Sequence, residues 1–158
     1  MTSFTKPARL DVETDASGFD CGLPIVNEWL HHKFKISEKQ HTTVAYATFT
    51  NDHIAGFYTL SAYGLQRDSV KGWLSRNSPD PIPVILLGML GVDIRYQTQH
   101  VGRQLLRDAI IRAANAAEII GARALIVEPA TDKAAGFYEK YGFRSLSTSA
   151  IMFLPLNC

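Results

Sequence analysis

Cysteine is scarce in this sequence, since only Cys21 and Cys158 occur among its 158 residues. The two lie near opposite ends of the chain, so they indicate neither a disulfide framework nor a metal-binding cluster, and they suit a reducing compartment. Long apolar runs are also absent: none could span a bilayer, and the polar N-terminus has no apolar signal segment. We therefore expect a cytoplasmic protein with no metal and no membrane partner.

An excess of charge is lacking as well. The 16 Lys and Arg residues offset the 15 Asp and Glu residues and leave a net charge of +1. Any contact with nucleic acid must therefore come from a local basic patch rather than from the chain as a whole. Hydrophobic residues make up 46% of the chain, which excludes disorder. The length and the lack of repeats or linkers predict a single domain over residues 1–158.

The hydrophobic pattern predicts strands that alternate with helices. Strands are predicted over residues 9–13, 42–50, 53–63, 82–94, 124–127 and 143–156, the last being one strand or a bent pair. Helices are predicted from Pro24, over 101–120 and over 132–141, with a short helix or an irregular connection over 66–76. This order indicates an α/β (α+β) class, with helices flanking a mixed central sheet.

Turn-forming residues separate these segments. Pro24 suits the first position of a helix, and Asn51-Asp52 is typical of a hairpin turn. Gly121 and Gly142 suit helix ends. The first helix should bury an apolar stripe formed by Ile25, Trp29, Leu30, Phe34 and Ile36.

The central strand leads through a polar turn directly into the long helix. A helix start leaves backbone N–H groups without intrahelical partners, at the positive end of the helix dipole. Residues 95–103 therefore predict an anion-binding site that suits phosphates.

Three motifs give these segments a family resemblance. The loop Gln99-His100-Val101-Gly102-Arg103-Gln104 resembles the Arg/Gln-x-x-Gly-x-Gly/Ala pyrophosphate loop of the Gcn5-related N-acetyltransferases (GNAT), although Gln104 stands where the family has a small residue. Residues 137–143 resemble the F-Y-x-x-x-G-F signature near the end of these domains. The third similarity is to the toxin branch of the superfamily, the TacT/AtaT-type toxins. It lies in residues 19–22 (Phe-Asp-Cys-Gly), in Asn27 and Trp29, and in residues 82–88.

The resemblance implies a GNAT fold whose strands splay apart at an acetyl-CoA site. It implies acetyl-CoA as the co-substrate and the α-amino group of an aminoacyl-tRNA as the acceptor, so that translation is blocked. The implied partners are a cognate antitoxin of ribbon-helix-helix type and a second copy of the chain in a homodimer.

The resemblance also assigns roles to residues. The backbone of Leu90, Gly91 and Val92 is expected to pair with the pantetheine arm, and an N–H there to stabilise the oxyanion. Tyr138 is expected to protonate the leaving thiolate. The remaining cofactor contacts are assigned to Gln97, Thr98, Gln99, His100, Val101, Gly102, Arg103 and Phe137.

A basic track is needed for tRNA because phosphate contacts dominate its affinity. The candidates are Lys33, Lys35, Lys39 and Arg76, with Lys71 as a weaker one. The lysines also fit an ordinary solvated helix face. Two other functions stay open at this point: an N-acetyltransferase for a small molecule or a protein, and a non-catalytic regulator that binds acetyl-CoA or a partner.

Overall fold

The computed structural model describes residues 2–70, 72–146 and 149–156, and Lys71 and Cys158 lie outside this part. Its strands form one mixed sheet in the order β1-β2-β3-β4-β5-β7-β6. The strands are β1 (Ala8–Arg9), β2 (Val44–Thr50), β3 (His53–Leu65), β4 (Ile82–Val92), β5 (Ala124–Val127), β6 (Arg144–Ser145) and β7 (Met152–Pro155). The α-helices are α1 (Pro24–Glu28), α2 (Phe34–Gln40), α3 (Val101–Ile120) and α4 (Asp132–Lys140).

The predicted turns are confirmed where local chemistry dictates them. Asn51 and Asp52 have φ values of 50° and 65°, so a hairpin turn with both central residues left-handed joins β2 to β3. Gly121 and Gly142 have φ values of 83° and 97° and follow the helices α3 and α4. Pro24 begins α1, where its missing N–H removes no hydrogen bond.

The predicted face of the first helix was partly wrong. Ile25 and Ile36 are 64% and 57% exposed, whereas Val26, Leu30 and Phe34 are buried. These three are spaced four residues apart and therefore share one side of the helical segment. A π-helical turn, Trp29–Lys33, joins α1 to α2 and adds a residue to the turn, which shifts the phase that a regular helix would keep.

The first strand is shorter than predicted. It covers only Ala8–Arg9, because the N–H of Glu13 donates to the Asp11 carboxylate (2.8 Å) and the N–H of Thr14 donates to the Asp11 carbonyl (3.1 Å). This Asx-type turn uses the backbone groups that a longer strand would need. Residues 66–76 form two 3₁₀ turns, Arg67–Ser69 and Gly72–Leu74, as the expected irregular connection.

The described chain forms two compact units. The first comprises residues 2–61 and 88–110, with the aromatic rings of Phe19, Trp29, Phe34 and Phe57 in contact within its core. The second comprises the described parts of residues 62–87 and 111–156, with a core built by Leu65, Leu74, Ile82, Val84, Ala124, Ile126 and Phe153. The single domain over 1–158 stays a prediction.

In the second unit, β4 pairs in parallel with β5 and β5 pairs antiparallel with β7. Both β5 neighbours are apolar, and all four β5 residues are buried. This explains the apolar run by which the strand was predicted. In the part of the chain that the structure describes, no helix is both long and apolar enough to cross a bilayer.

Gly56 lies in β3 at a position where added side-chain atoms would have no room. A Cβ at this position would lie 2.8 Å from Leu105 Cδ1 and 3.1 Å from the carbonyl oxygen of Gly91. We expect Gly56→Ala to lower the free energy of unfolding by about 1–3 kcal/mol, because the backbone oxygen must move. Gly136→Ala in α4 is the control: its Cβ would meet no atom within 4 Å, so it should stabilise the helix by roughly 0.5–1 kcal/mol. Urea unfolding of both variants measures the change in the free energy of unfolding, which should be negative for Gly56→Ala and positive for Gly136→Ala. Equal changes in the two variants would contradict the packing argument.

Candidate active site

The strand β4 extends past its parallel partner. Leu87 pairs with Val127, the last residue of β5, and β4 continues through residues 88–92. The segment with Leu90, Gly91 and Val92, where the strands are expected to splay apart, therefore lies beyond the end of β5. The N–H of Met89 is already used, since it donates to Thr59 Oγ1 (2.9 Å).

Gly91 is required for packing as well as for its expected cofactor role. A Cβ here would lie 2.9 Å from Val26 Cγ1 and 3.2 Å from Cys21 Sγ. The end of β4 thus lies directly against the turn and helix that carry the Phe-Asp-Cys-Gly motif. The motif therefore has a structural neighbour 70 residues further along the chain, counting from Cys21 to Gly91.

The loop that follows β4 has two residues in left-handed conformations. Thr98 has a φ of 71° and His100 a φ of 65°, and residues 97–100 are all exposed. A non-glycine residue held in this region costs about 1–3 kcal/mol, and such turns direct successive N–H groups to one side as an anion-binding nest. A glycine would adopt the left-handed φ of His100 without this cost.

The helix α3 begins immediately after this nest. Val101 is buried and fixes the helix start against the core, Gly102 is half-buried, and Arg103 is exposed. The N–H of Gln104 donates to the carbonyl of His100 (3.2 Å), which leaves the amides before it outside this hydrogen-bonded turn. The predicted phosphate loop is therefore a helix start preceded by a strained turn.

A cavity of about 440 Å³ lies beside the loop in the first unit. It brings the predicted residues Gln99 and Val101 together with Gln104 and with an N-terminal segment that sequence reasoning missed. Its lining residues are Phe4, Thr5, Lys6, Pro7, Thr48, Gln99, Val101 and Gln104. The segment is held by hydrogen bonds between Thr5 and Phe49, which have no local sequence signal.

Asp93 is a second residue that sequence reasoning missed. Its side chain is 1% exposed and pairs with Arg95, whose Nε lies 2.9 Å from Asp93 Oδ1. Burial alone would raise the pKa of Asp93, but hydrogen bonds from Arg95 and from the amide of Asp20 outweigh it and lower the pKa. Asp93 is therefore a carboxylate that ties the loop to the N-terminal turn.

Tyr138 lies in α4 of the second unit. Thr131 caps this helix, with its hydroxyl accepting from the N–H of Ala134 (3.0 Å). Tyr138 is 8% exposed, and its ring packs edge-on against Phe137 and Phe143 with centroids 5.4 and 5.3 Å away. Burial raises the pKa of Tyr138 to about 12, so the phenol stays protonated and can act as a proton donor.

The basic candidates are distributed over both units. Lys33, Lys35 and Lys39 are exposed in the first, and Arg76 is exposed in the second. Lys35 and Lys39 are four residues apart in α2 and so share a face. Lys33 belongs to the π-helical turn, two residues before Lys35, and faces another direction. Among the residues that the structure describes, no group of three or more His, Cys, Asp or Glu residues could hold a metal ion.

Comparison with known proteins assigns this arrangement to a family. The acetyltransferase (GNAT) domain family matches residues 38–145, which is more than half of the chain. The chain belongs to the GNAT acetyltransferase family. The predicted family and fold class are confirmed, and the overrun of β4 and the loop before α3 are parts of a GNAT fold.

Individual GNAT proteins resemble the chain over nearly its whole length. It is 33% identical to a tRNA-acetylating toxin of Mycobacterium tuberculosis, over 99% of this chain and 94% of that one. The toxin AtaT complexed with acetyl-methionyl-tRNAfMet superposes with a TM-score of 0.86 at 26% identity, covering 97% and 95% of the two chains. An AtaT variant with one tyrosine replaced by phenylalanine, bound to the C-terminus of the antitoxin AtaR and to acetyl-CoA, superposes with a TM-score of 0.80 at 25% identity, covering 97% and 93%.

Proposed function

We propose that this acetyltransferase is the toxin of a toxin–antitoxin pair and that it acetylates the α-amino group of aminoacyl-tRNA. The observation that carries the proposal is the match over 99% of the chain to a tRNA-acetylating toxin. In the reaction, the amine nitrogen forms a bond to the acetyl carbon and the thioester C–S bond breaks. The resulting amide is no longer a nucleophile, so the aminoacyl-tRNA cannot accept the growing peptide and translation stops.

The loop before α3 and the end of β4 supply the cofactor contacts in this proposal. The amides of Thr98, Gln99 and His100 hold the pyrophosphate of acetyl-CoA, with Val101 and Gly102 opening the helix and Arg103 adding a charge-assisted contact. The part of β4 that extends past β5, at Leu90, Gly91 and Val92, pairs with the pantetheine arm. An N–H of this part stabilises the oxyanion, an interaction typically worth ~3 kcal/mol of barrier.

Tyr138 is the proton donor in this proposal. As the tetrahedral intermediate collapses, Tyr138 gives its proton to the departing CoA sulfur, and the proton that the acetylated nitrogen releases restores the phenol. Phe137 contributes an apolar surface toward the cofactor. The donor must be neutral at cellular pH, and Tyr138 is neutral there because burial raises its pKa to about 12. No strong general base is required, since an α-amino group has a pKa near ~7.7 and is partly unprotonated at neutral pH.

The basic side chains of the first helical segment and Arg76 contact the tRNA backbone. Lys35 and Lys39 form the central pair because they project from one face of α2. Lys33 extends the positive surface to the adjacent face. Phosphate contacts of this kind set affinity and position rather than choice of amino acid.

The remaining partners follow from the same assignment. The cognate antitoxin is a protein of ribbon-helix-helix type that binds this chain, and the toxin works as a homodimer. We propose that it acts in the cytoplasm, where ribosomes consume charged tRNA.

The test of this function uses labelled acetyl-CoA and a pool of charged tRNAs. We expect label to appear on the amino acid, to survive as an N-acetyl amino acid after mild base cleaves the ester, and to be absent when the tRNA is uncharged. Mass spectrometry of the released N-acetyl amino acids identifies the substrate. Label on polyamines or on protein N-termini, with none on charged tRNA, would replace this function by small-molecule or protein acetylation.

The pH dependence provides a further prediction. Because burial raises the pKa of Tyr138 to about 12, the protonated form persists far above neutral pH. We therefore expect kcat/KM to rise through the amine pKa near ~7.7 and then to stay level to about pH 9.5. Initial rates on a charged tRNA with an amide-linked amino acid measure this without loss of substrate. A fall in rate centred near the ordinary tyrosine pKa of about 10 would contradict a buried phenol as the acid.

A further inference from the structure

The Phe-Asp-Cys-Gly turn of the first unit is fastened to the start of the cofactor loop. Asp20 exchanges two hydrogen bonds with the residues after β4: its N–H donates to Asp93 Oδ2 (3.2 Å), and its carbonyl accepts from the N–H of Ile94 (2.9 Å). The paired segments are 73 residues apart in sequence. The turn therefore sets the position of the chain as it leaves the sheet.

Asp93 is the buried centre of this junction. Its N–H donates to the carbonyl of Ala55 (2.8 Å), which continues the contact with β3 beyond the end of β4. Its carboxylate accepts from the N–H and Nε of Arg95 (3.0 and 2.9 Å) and from Arg95 Nη2 (3.1 Å). The N–H of Tyr96 then donates to the Asp93 carbonyl (2.8 Å), so residues 93–96 form a fixed turn.

Gln97 fixes the position of the next part of the loop through its side chain. Its Nε2 donates to the carbonyls of Cys21 (3.0 Å) and Val92 (2.9 Å), so one amide bridges the N-terminal turn and the end of β4. The amide group is thereby occupied by protein backbone. The next residue, Thr98, is the first of the two left-handed positions.

Asn27 keeps the N-terminal turn rigid from the other side. Its Oδ1 accepts from the N–H of Cys21 (2.9 Å), and its Nδ2 donates to Asp20 Oδ1 (2.8 Å). The same Asp20 oxygen accepts from the N–H of Gly22 (2.8 Å). The turn is therefore held by helix α1, which carries Asn27, before it contacts the loop.

We propose that Gln97 and Asn27 are positioning residues that hold the left-handed loop residues Thr98 and His100 in the conformation that binds pyrophosphate. This inference rests on the proposed acetyl-CoA chemistry and extends it to a role for the Phe-Asp-Cys-Gly motif. Strained backbone persists only where its surroundings hold it, and a site formed before binding spares the ligand the cost of ordering it. The two residues therefore control the affinity for the pyrophosphate and not the chemical step.

The experiment compares Gln97→Met with the matched control Gln40→Met, at an exposed glutamine at the end of α2. Methionine keeps the length of glutamine and removes its donor. Calorimetry with acetyl-CoA should show a dissociation constant raised about tenfold for Gln97→Met and unchanged for the control. At saturating acetyl-CoA, kcat should stay within about twofold of the parent, because neither residue contacts the reacting atoms.

A second pair of variants tests transmission through the turn. Asn27→Ala should also raise the KM for acetyl-CoA, whereas Asn115→Ala, at an exposed position in α3, should not. Activity with S-acetylpantetheine, which has the thioester but lacks the pyrophosphate, should be equal in the parent and in both positioning variants. Thermal unfolding of every variant is measured alongside.

Several outcomes would overturn the inference. An unchanged affinity of Gln97→Met for acetyl-CoA would do so, and so would an equal loss with S-acetylpantetheine, which would indicate general loosening. A lower kcat at saturating cofactor with an unchanged KM would move Gln97 into the chemical step instead. If the parent protein itself failed to bind acetyl-CoA, the proposed function would be wrong. That result is distinguishable from the three above because it does not depend on any variant.

Discussion

Tyr138→Phe is expected to lower kcat for aminoacyl-tRNA acetylation by about 100- to 10,000-fold, the range typical for loss of a general acid. The ring keeps its packing against Phe137 and Phe143, so folding should be unaffected. The affinity for acetyl-CoA should also be unchanged, since the lost proton is needed only as the thiolate leaves. Single-turnover assays with labelled acetyl-CoA measure the chemical step directly.

Tyr141→Phe is the matched control for this prediction. Tyr141 is half-buried, follows α4, and packs edge-on against Phe137 at 5.2 Å, but it has no proposed part in proton transfer. The control should acetylate at the parent rate. Near-normal turnover by Tyr138→Phe would remove this phenol from the mechanism, and equal losses in both variants would point to a packing defect around Phe137.

Reversing the charge of Lys35 and Lys39 should reduce kcat/KM for charged tRNA by roughly 10- to 100-fold at moderate salt. Each lysine that contacts a phosphate releases a counterion, so the slope of log affinity against log salt should also fall by about one per lysine. Affinity for acetyl-CoA should not change. A filter-binding series over salt concentration, done with the Lys35→Glu/Lys39→Glu variant, measures both effects.

The control for charge reversal carries the same change in net charge elsewhere. Lys133→Glu/Lys140→Glu alters two exposed lysines of α4 and should leave tRNA affinity and the salt slope close to the parent values. Equal losses in the two double variants would indicate a general electrostatic effect and would count against a local track on α2. Arg76→Glu is tested separately because Arg76 belongs to the other compact unit.

The structure separates what local chemistry can predict from what it cannot. The hairpin at Asn51-Asp52 and the helix ends at Gly121 and Gly142 were predictable, because each depends on a φ value that few residues adopt. The strand–turn–helix unit formed by β4, the following loop and α3 was predictable because its parts are consecutive in sequence, while phosphate binding by the loop stays a prediction. The burial pattern of the first helix was not, since the π-helical turn shifts it without a sequence signal.

Non-local contacts account for the parts of the site that the sequence could not supply. Asp93 falls within the predicted strand 82–94, although β4 ends at Val92, and only the fold brings the amide of Asp20 to its carboxylate. The cavity wall formed by residues 4–7 depends on pairing with β2, where Thr5 contacts Phe49 44 residues away. The Phe-Asp-Cys-Gly motif is recognisable in the sequence, but its hydrogen bonds to Asp93, Ile94 and Gln97 depend on the fold.

In the proposed cofactor site, the nest before α3 recognises its ligand through main-chain N–H groups, which every amino acid except proline possesses. The identity of the side chains at positions 98 and 100 should therefore have little effect on ligand binding, provided that the backbone keeps the same conformation. We expect related enzymes to differ in amino acid at these two positions while using the same cofactor. A sequence motif that requires particular residues there would fail to match them. Mutational scanning should find tolerance to most substitutions at these positions and intolerance to proline.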